Sequence, residues 1–282
     1  MPKDMGDDFG SDFDVGGSDK KAFGGAKIKW ETLLPVIIII IVVLLIIFKT
    51  NILASGLDIF GTTQGAKILI LGAPSPEFRN ILTDQENKDI IKESRFMTLD
   101  SIDHNPEERI KDYDIIILDQ SMQADKTITR RTGEAITNYV KKGGKLIVVL
   151  NSGIKRPGDT SVLGWQANFG GIVPVNCYNS GGTPSCLSQR DLQGTLYVVK
   201  EDHPIVKGIT QVPAVETSGT IRTQTFDVSI DGTEIAYLED SRTNKTYTGI
   251  VEEPLLMGKV IYFNFNPAIS KAIVIKTIQY LS

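Results

Sequence analysis

Residues 140–153 read VKKGGKLIVVLNSG, and this stretch decides the fold of the chain. A segment of helical period from Thr132 to Lys142 leads into the glycine pair at 143–144, which is typical of a helix end because glycine readily adopts left-handed backbone angles. The run KLIVVL at 145–150 is rich in Val, Ile and Leu, which predicts a strand that is buried on both faces. A helix followed at once by such a strand is the repeating unit of an α/β protein. We therefore predict an α/β domain with a mainly parallel sheet.

Comparable apolar runs lie on both sides of this stretch and extend the α/β pattern over residues 66–282. Ser75-Pro76-Glu77 predicts a helix start, with a capping hydroxyl, a proline in the first turn and an acidic residue behind it. Asn266-Pro267 predicts the start of a last helix that continues to about Tyr280. The predicted strands are Lys67–Leu71, Phe96–Leu99, Asp114–Leu118, Lys145–Leu150, Thr195–Val199, Glu234–Leu238 and Val260–Phe265.

Upstream of this domain, residues 33–48 read LLPVIIIIIVVLLIIF without a polar or charged side chain. A backbone in hydrocarbon must satisfy all its hydrogen bonds internally, so a run of this kind predicts one transmembrane helix, and interfacial flanks extend it to 30–53. The remaining regions are a disordered acidic tail at 1–29 and a tether at 54–65. Cleavage at the small residues 54–56 is the alternative, with the span acting as a signal peptide.

The charges around the span predict its orientation. Lysines at 20, 21, 27 and 29 precede it, whereas Lys49 is followed by no basic residue before Lys67. The excess of positive charge before the span places the N-terminus in the cytoplasm and the large domain outside the cell membrane.

Two further features agree with an extracytoplasmic domain. Cys177 and Cys186 are the only cysteines and flank a turn-rich stretch, so we expect a disulfide, with two reduced thiols as the alternative. Asn244 begins an Asn-Lys-Thr glycosylation sequon.

The composition limits the partners. The formal net charge is −4 and no basic patch with interleaved aromatic residues is present, so nucleic acid is not an expected partner. Phe9, Phe13 and Phe23 lie among carboxylates in the tail, which suggests a short motif for a cytoplasmic protein partner. A solvated tail without a partner is the alternative.

An ordered set of motifs carries a resemblance to a known superfamily. In chain order the motifs are AKILILG (66–72), YDIIILDQ (113–120), VKKGGKLIVVLNSG (140–153), DHPIVKGI (202–209), GKVIYFNFNP (258–267) and IQYL (278–281). The chain resembles the class I glutamine amidotransferase-like superfamily, and within it the ThuA-like, non-catalytic branch. The resemblance implies a three-layer flavodoxin-like sandwich. It also implies that chemistry, where relatives have it, is centred on a cysteine at the turn after the fourth strand.

In this chain that turn is Leu150–Gly153, and neither cysteine is near it. The cysteine-dependent activity is therefore not expected. A serine hydrolase with Ser152 as nucleophile and His203 as base is the enzymatic alternative, although no G-x-S-x-G motif surrounds Ser152. A plain turn at Asn151-Ser152-Gly153 is the simpler interpretation. We expect no metal site and no cofactor, because neither metal-ligand spacing nor a glycine-rich phosphate loop is present.

Architecture nevertheless indicates where a ligand would bind. Ligands of open parallel sheets bind beyond the carboxyl ends of the strands. Polar residues expected at that edge suit a sugar or a peptide, and a rim of ordinary solvated turns is the alternative. The candidate binding residues are Gly72, Ser75, Asp119, Gln120, Asn151, Ser152 and Gln166.

Together these features predict a single-pass membrane protein whose extracytoplasmic, catalytically degenerate domain serves binding or assembly. One alternative is an envelope hydrolase or carbohydrate-processing enzyme that uses the cleft around Ser152. The other is a structural surface-layer or filament component, for which a homo-oligomer would be expected.

Overall fold

The computed structural model describes residues 38–41, 65–159, 164–217 and 219–282. The chain divides into two compact units, Met1–Gly61 and Thr62–Ser282. In the first unit residues 38–41 form one helical turn, and the rest of the predicted tail, span and tether lies outside the described residues. None of the helices described is long and apolar enough to cross a membrane.

The second unit is built from short strands and helices that alternate along the chain. Its described strands are β1 (Ala66–Gly72), β2 (Ile91–Met97), β3 (Ile115–Asp119), β4 (Lys145–Val149), β5 (Val175–Asn176), β6 (Asn179–Ser180), β7 (Thr183–Pro184), β8 (Gln189–Val198), β9 (Gln211–Val212), β10 (Ile221–Phe226), β11 (Ser229–Ile230), β12 (Thr233–Asp240), β13 (Thr246–Pro254) and β14 (Lys259–Phe263). Its described helices are α1 (Pro76–Thr83), α2 (Leu99–Ile102), α3 (Pro106–Ile110), α4 (Arg130–Lys141), α5 (Gly164–Phe169) and α6 (Lys271–Leu281).

Ten strands form one mixed sheet in the order β10-β8-β12-β13-β14-β4-β3-β1-β2, with β9 attached to β8. The five strands β2-β1-β3-β4-β14 run parallel, in the 2-1-3-4-5 order of flavodoxin-like folds. The predicted α/β core is therefore present. The sheet as a whole is less parallel than predicted, because β13, β12, β8, β10 and β9 extend it antiparallel.

Helices cover both faces of the parallel strands, which gives the three-layer arrangement. On β1, Ile68 and Ile70 pack into the core beneath α1 and α6, while Leu69 and Leu71 pack beneath the helices α2–α5 on the other face. All four side chains are fully buried. The continuous apolar runs noted in the sequence are thus explained by burial on both faces.

Capping residues fix the helix starts. Ser75 Oγ accepts a hydrogen bond from the Phe78 amide and begins α1 at Pro76, as predicted. Thr129 caps α4, which ends before Gly143 with its φ of 107°. The last helix begins later than predicted, at Lys271, because Pro267–Ile269 form a short 3₁₀ turn and Ser270 provides the cap.

The second predicted strand was misplaced. We expected Phe96–Leu99, whereas β2 covers Ile91–Met97 and Leu99 begins α2. β2 is the edge strand of the sheet and has exposed charged side chains at 92, 93 and 95, so it lacks the apolar run that is typical of the other parallel strands.

The predicted disulfide is present between Cys177 and Cys186, with their Cα atoms 5.3 Å apart. Cys186 is completely buried, and its carbonyl accepts a hydrogen bond of 3.4 Å from the Asn151 side chain. The disulfide loop is thereby attached to the turn after β4.

Candidate ligand-binding cleft

The loops that leave β1, β3, β4 and β14 meet at the carboxyl edge of the parallel sheet. The close approach of the first two requires a glycine. Gly72 has a φ of +112°, and a Cβ atom there would lie 2.2 Å from the carbonyl oxygen of Asp119. This part of the predicted rim is therefore a packed junction and offers no side chain to a ligand.

Ser75 and Asn266 join the first and last of these loops. The Asn266 side-chain amide donates a hydrogen bond of 3.1 Å to Ser75 Oγ, and its oxygen accepts one of 3.1 Å from the Ala268 amide. Both residues line the main cleft. The capping groups of α1 and of the turn before α6 thus form one end of the cleft floor.

The loop after β3 is held by a buried carboxylate. Asp119 Oδ1 accepts a hydrogen bond of 2.8 Å from the Ser121 amide, whereas Oδ2 is buried without a hydrogen-bond partner in the structure. Burial raises the pKa of Asp119 to about 6, although the Ser121 hydroxyl and amide and the charge of Lys126 act to lower it. Asp119 lies beneath the cleft, because it is only 1 % exposed.

Gln120 connects the loops after β3 and β4. Its side-chain oxygen accepts a hydrogen bond of 2.8 Å from the Gly153 amide, and its side-chain amide donates one of 3.1 Å to the Thr127 carbonyl. The predicted binding residue Gln120 therefore has its side chain committed to positioning two loops.

The turn after β4 contains a strained residue. Leu150 has a φ of 52°, which is rare for a branched side chain and is typical of the sharp strand-to-helix turn on which hydrolases hold a nucleophile. An apolar side chain occupies this position here, and it lies on the cleft floor. Ser152 is two residues beyond the strained position.

Ser152 itself is fully buried. Its hydroxyl donates a hydrogen bond of 2.6 Å to the Val149 carbonyl and accepts one of 2.8 Å from the Gln120 amide. The Ser152 carbonyl also accepts a hydrogen bond of 2.9 Å from the Trp165 indole. These contacts give Ser152 a structural role in closing the turn.

The structure does not bring His203 to Ser152. His203 Nε2 lies 3.1 Å from a Glu252 carboxylate oxygen, and its ring packs edge to face on Tyr280 of α6. Burial raises the pKa of Glu252, but the His203 and Tyr280 hydrogen bonds outweigh burial and hold it below its usual value. His203 belongs to the contacts that attach α6 to β13, so the Ser152–His203 pair of the hydrolase alternative is not assembled.

The main cleft has a volume of about 910 Å³. Its floor comes from the parallel strands and one wall comes from the antiparallel extension. The lining residues are Ser75, Ser121, Met122, Gln123, Ala124, Leu150, Asp191, Leu192, Gln193, Arg222, Thr223, Gln224, Arg242 and Asn266. Of the seven candidate binding residues only Ser75 is among them, because the antiparallel extension, which no local sequence pattern predicts, reaches this edge.

Three charged residues, Arg222, Arg242 and Asp191, lie on one wall of the cleft. Arg242 donates hydrogen bonds to Asp240 Oδ1, at 3.2 Å, and to the Asp191 carbonyl. Arg222 is exposed on β10 and makes no hydrogen bond or ion pair with other described residues. The guanidinium of Arg222 is therefore available to an anionic ligand.

A smaller chamber of about 290 Å³ continues from the cleft on the other side of residues 121–124. Asn151 lies here, together with Lys126 and Lys155. Lys126 Nζ donates hydrogen bonds to the carbonyls of Gln120 and Ser121, and burial lowers the pKa of Lys126. Gln166, in contrast, is exposed on α5 next to Gly171 and lines neither space.

The remaining candidates are placed as follows. Asn244 is exposed and has a φ of 55° in the turn between β12 and β13, so its side chain is accessible. Among the described residues no group of three or more His, Cys, Asp and Glu side chains could hold a metal ion.

Comparisons with known proteins add the fold and nothing finer. No family model matches the chain. No curated protein matches it either. Among solved structures, a β-galactosidase from Bacillus circulans sp. alkalophilus superposes with a TM-score of 0.51 at 13 % identity, covering 77 % of this chain and 30 % of the enzyme.

Two other solved structures are similar over most of their own length. A cytoplasmic protein from Salmonella typhimurium gives a TM-score of 0.49 at 15 % identity, covering 76 % of this chain and 98 % of that protein. A protein from Bacteroides uniformis described as ThuA-like gives 0.48 at 10 % identity, covering 79 % and 93 %. At such identities similarity shows the fold alone, and the chain spans less than a third of the β-galactosidase it resembles.

Proposed function

We propose that this chain is a membrane-anchored extracytoplasmic binding protein whose cleft receives an extended acidic segment of a partner protein. The proposal includes the finer assignment to the ThuA-like, non-catalytic branch, which is supported by the order of the sequence motifs. It also includes a cytoplasmic partner for the acidic tail at 1–29. The observation that carries it is the free edge of β10 along the cleft.

β10 is the last strand of the sheet, and no described strand pairs with its outer edge. At the end of this edge the Phe226 amide donates to Asn264 Oδ1, at 3.1 Å, and its carbonyl accepts from Asn264 Nδ2, at 2.8 Å. The amide and carbonyl of a strand residue point to the same side, and every second residue repeats that side. Gln224 and Arg222 therefore present their backbone groups on this outer edge, where the Gln224 carbonyl also accepts a hydrogen bond of 3.3 Å from the Thr223 hydroxyl.

Such an edge binds peptides by strand addition, in which backbone hydrogen bonds give affinity and side-chain pockets give specificity. Arg222 lies on this edge with an unpaired guanidinium, which matches a carboxylate side chain on the added strand. The neutral side-chain amides of Gln123 and Gln224, which also line the cleft, suit the polar backbone of a peptide.

The geometry supports binding over catalysis. The strained residue at the turn is Leu150, Ser152 is buried and hydrogen-bonded, and His203 packs against α6. A hydrolase needs a positioned nucleophile or water and a base within hydrogen-bond reach, and the described cleft residues do not combine them.

Membrane anchoring is proposed from the composition of the apolar run at 33–48, which has no polar or charged side chain. The disulfide and the lysines before the run agree with a domain outside the cytoplasm.

The proposal is tested by photocrosslinking in the native membrane. A benzoylphenylalanine at Gln224 should capture a discrete partner through the cleft. Arg222→Ala should reduce capture at least about tenfold, since a charge-assisted hydrogen bond contributes about 1.5–3 kcal/mol. Arg95→Ala is the matched control, because Arg95 is an exposed arginine on β2, the opposite edge strand of the same sheet.

Equal capture by both arginine variants would contradict the proposed site. Loss of capture on addition of soluble polysaccharide, but not of acidic peptide, would favour the carbohydrate alternative, whose support is the amide-rich lining. A self-crosslinked product would favour the structural, homo-oligomeric alternative.

A further inference from the structure

The hairpin between β13 and β14 carries two large apolar side chains in solvent. Leu256 is fully exposed and Met257 is 63 % exposed. The turn is closed by a hydrogen bond of 3.1 Å from the Leu255 amide to the Gly258 carbonyl, and Leu255 packs inward on the core. The hairpin therefore presents two adjacent apolar residues at its tip while the third anchors its base.

The base of this hairpin is fixed against α4. A Cβ atom on Gly258 would lie 2.1 Å from the Val140 carbonyl oxygen, so the backbones touch there. Lys145 Nζ donates hydrogen bonds to the carbonyls of Gly143, at 2.7 Å, and Met257, at 3.3 Å. These contacts hold the tip outward and prevent it from folding back over its own apolar residues.

The tip projects from the edge at which the chain enters the domain. Lys259 at the start of β14 pairs with Lys145 of β4. Lys145 pairs in turn with Ile115 of β3, and β3 pairs with β1. All these strands run parallel, so their first residues share one edge. Strands are about 4.8 Å apart, which places the start of β1 roughly 15 Å from the start of β14.

The sequence before this entry point limits what the tip can meet. Only residues 49–64 separate the apolar run, which ends at Phe48, from Gly65. Sixteen residues reach at most about 55 Å, so the chain length allows the amino edge of the sheet to meet a bilayer that contains the run. Lys141 and Lys142, exposed at the end of α4, add positive charge to the same edge.

We propose that the tip formed by Leu256 and Met257 inserts into the interfacial region of the bilayer. The inference rests on the proposed membrane span and is independent of the ligand in the cleft. Apolar side chains enter the headgroup boundary favourably, and nearby lysines are attracted to anionic lipids. The span and the tip then give the protein two attachments to the bilayer.

The test uses the full-length protein in phosphatidylcholine vesicles that contain phosphatidylglycerol. Met257→Cys carries an environment-sensitive fluorophore, and Met122→Cys is the matched control because Met122 is also a 63 % exposed methionine, but at the carboxyl edge. Both natural cysteines are in the disulfide, so only the new thiol is labelled. Nitroxide-bearing lipid should quench the label at 257 at least about threefold more than the label at 122, since interfacial insertion reaches about 5–10 Å into the boundary.

The outcomes separate this inference from the proposed anchor. If the protein does not float with the vesicles, the span is wrong and the inference fails with it. If the protein floats but both labels are quenched equally, the anchor stands and the inserted tip is overturned. A shielded label at 257 that lipid does not quench, and that becomes exposed on dilution of protein in the bilayer, would assign the tip to contact with a second copy and would also overturn the inference.

Discussion

At the scale of single residues, the carboxyl edge is organised by side chains that bond to backbone. The side chains of Gln120, Ser152 and Asn264 each form hydrogen bonds with backbone amides or carbonyls. Losing such a bond in the protein interior is destabilising, because a buried polar group without a partner costs about 1–3 kcal/mol. The polar residues that the sequence offered as ligand contacts are mostly the supports of the cleft, and the contacts available to a ligand lie on β10.

Asp119 is the exception, because one of its carboxylate oxygens is buried without a partner. With its pKa raised from 3.8 to about 6 by burial, the folded protein binds more protons than the unfolded chain between these pH values. The resulting stabilisation is present in acid and is lost as pH rises through 6, a difference of about 3 kcal/mol at most. We expect Asp119→Asn to remove this fall in stability between pH 4 and 7.

Urea unfolding of the full-length protein in detergent, followed across this pH range, measures the effect. Asp100→Asn is the control, because Asp100 is an exposed carboxylate in the first turn of α2. A stability curve for Asp119→Asn that still falls between pH 4 and 7 as steeply as that of the control would contradict the assigned role of Asp119.

At the scale of elements, the strands that could be predicted are those whose burial dictates their composition. β1, β3, β4 and β14 are buried on both faces and read as apolar runs, so the parallel core and the turn after β4 followed from sequence. β13 was missed because Gly249 interrupts it, and a Cβ there would lie 2.7 Å from the Ala236 carbonyl oxygen. The cleft wall on β10 was not foreseeable, since its approach to Asn264 depends on long-range pairing that no local pattern records.

The disulfide between Cys177 and Cys186 closes the loop that contacts the turn after β4, and its removal should lower the stability of the domain. Cys177 and Cys186 are nine positions apart, and a bridge over such a loop stabilises by about 3 kcal/mol through the entropy of the unfolded chain. We expect the double substitution Cys177→Ser and Cys186→Ser to lower the free energy of unfolding by up to that amount. Reductant should produce the same loss in the natural protein and none in the double variant, and a loss in both would show that reductant acts elsewhere.

At the scale of the whole molecule, the two edges of the parallel sheet have different tasks under the proposals above. The amino edge receives the chain from the apolar run and carries the Leu256–Met257 tip, while the carboxyl edge carries the cleft. Ligand sites of parallel sheets occur at the carboxyl ends of the strands, and β1 is the strand by which the chain enters the sheet. Within the domain, the direction of β1 therefore separates the edge at which the chain enters from the edge that carries the cleft.

This arrangement requires export of the domain, and the oxidation state of Cys177 and Cys186 would report whether the domain has been exported. Ile39→Asp with Ile40→Asp places two charges in the apolar run, and each costs about 3 kcal/mol at the centre of a span. We expect the variant to keep its domain in the cytoplasm, where Cys177 and Cys186 stay reduced and, once the protein is denatured, react with a maleimide polymer that shifts it on a gel. The natural chain should not shift, and Ile39→Leu with Ile40→Leu should behave like it. Reactive cysteines in the natural chain from intact cells would contradict the extracytoplasmic placement, because no cysteine of the folded domain is free.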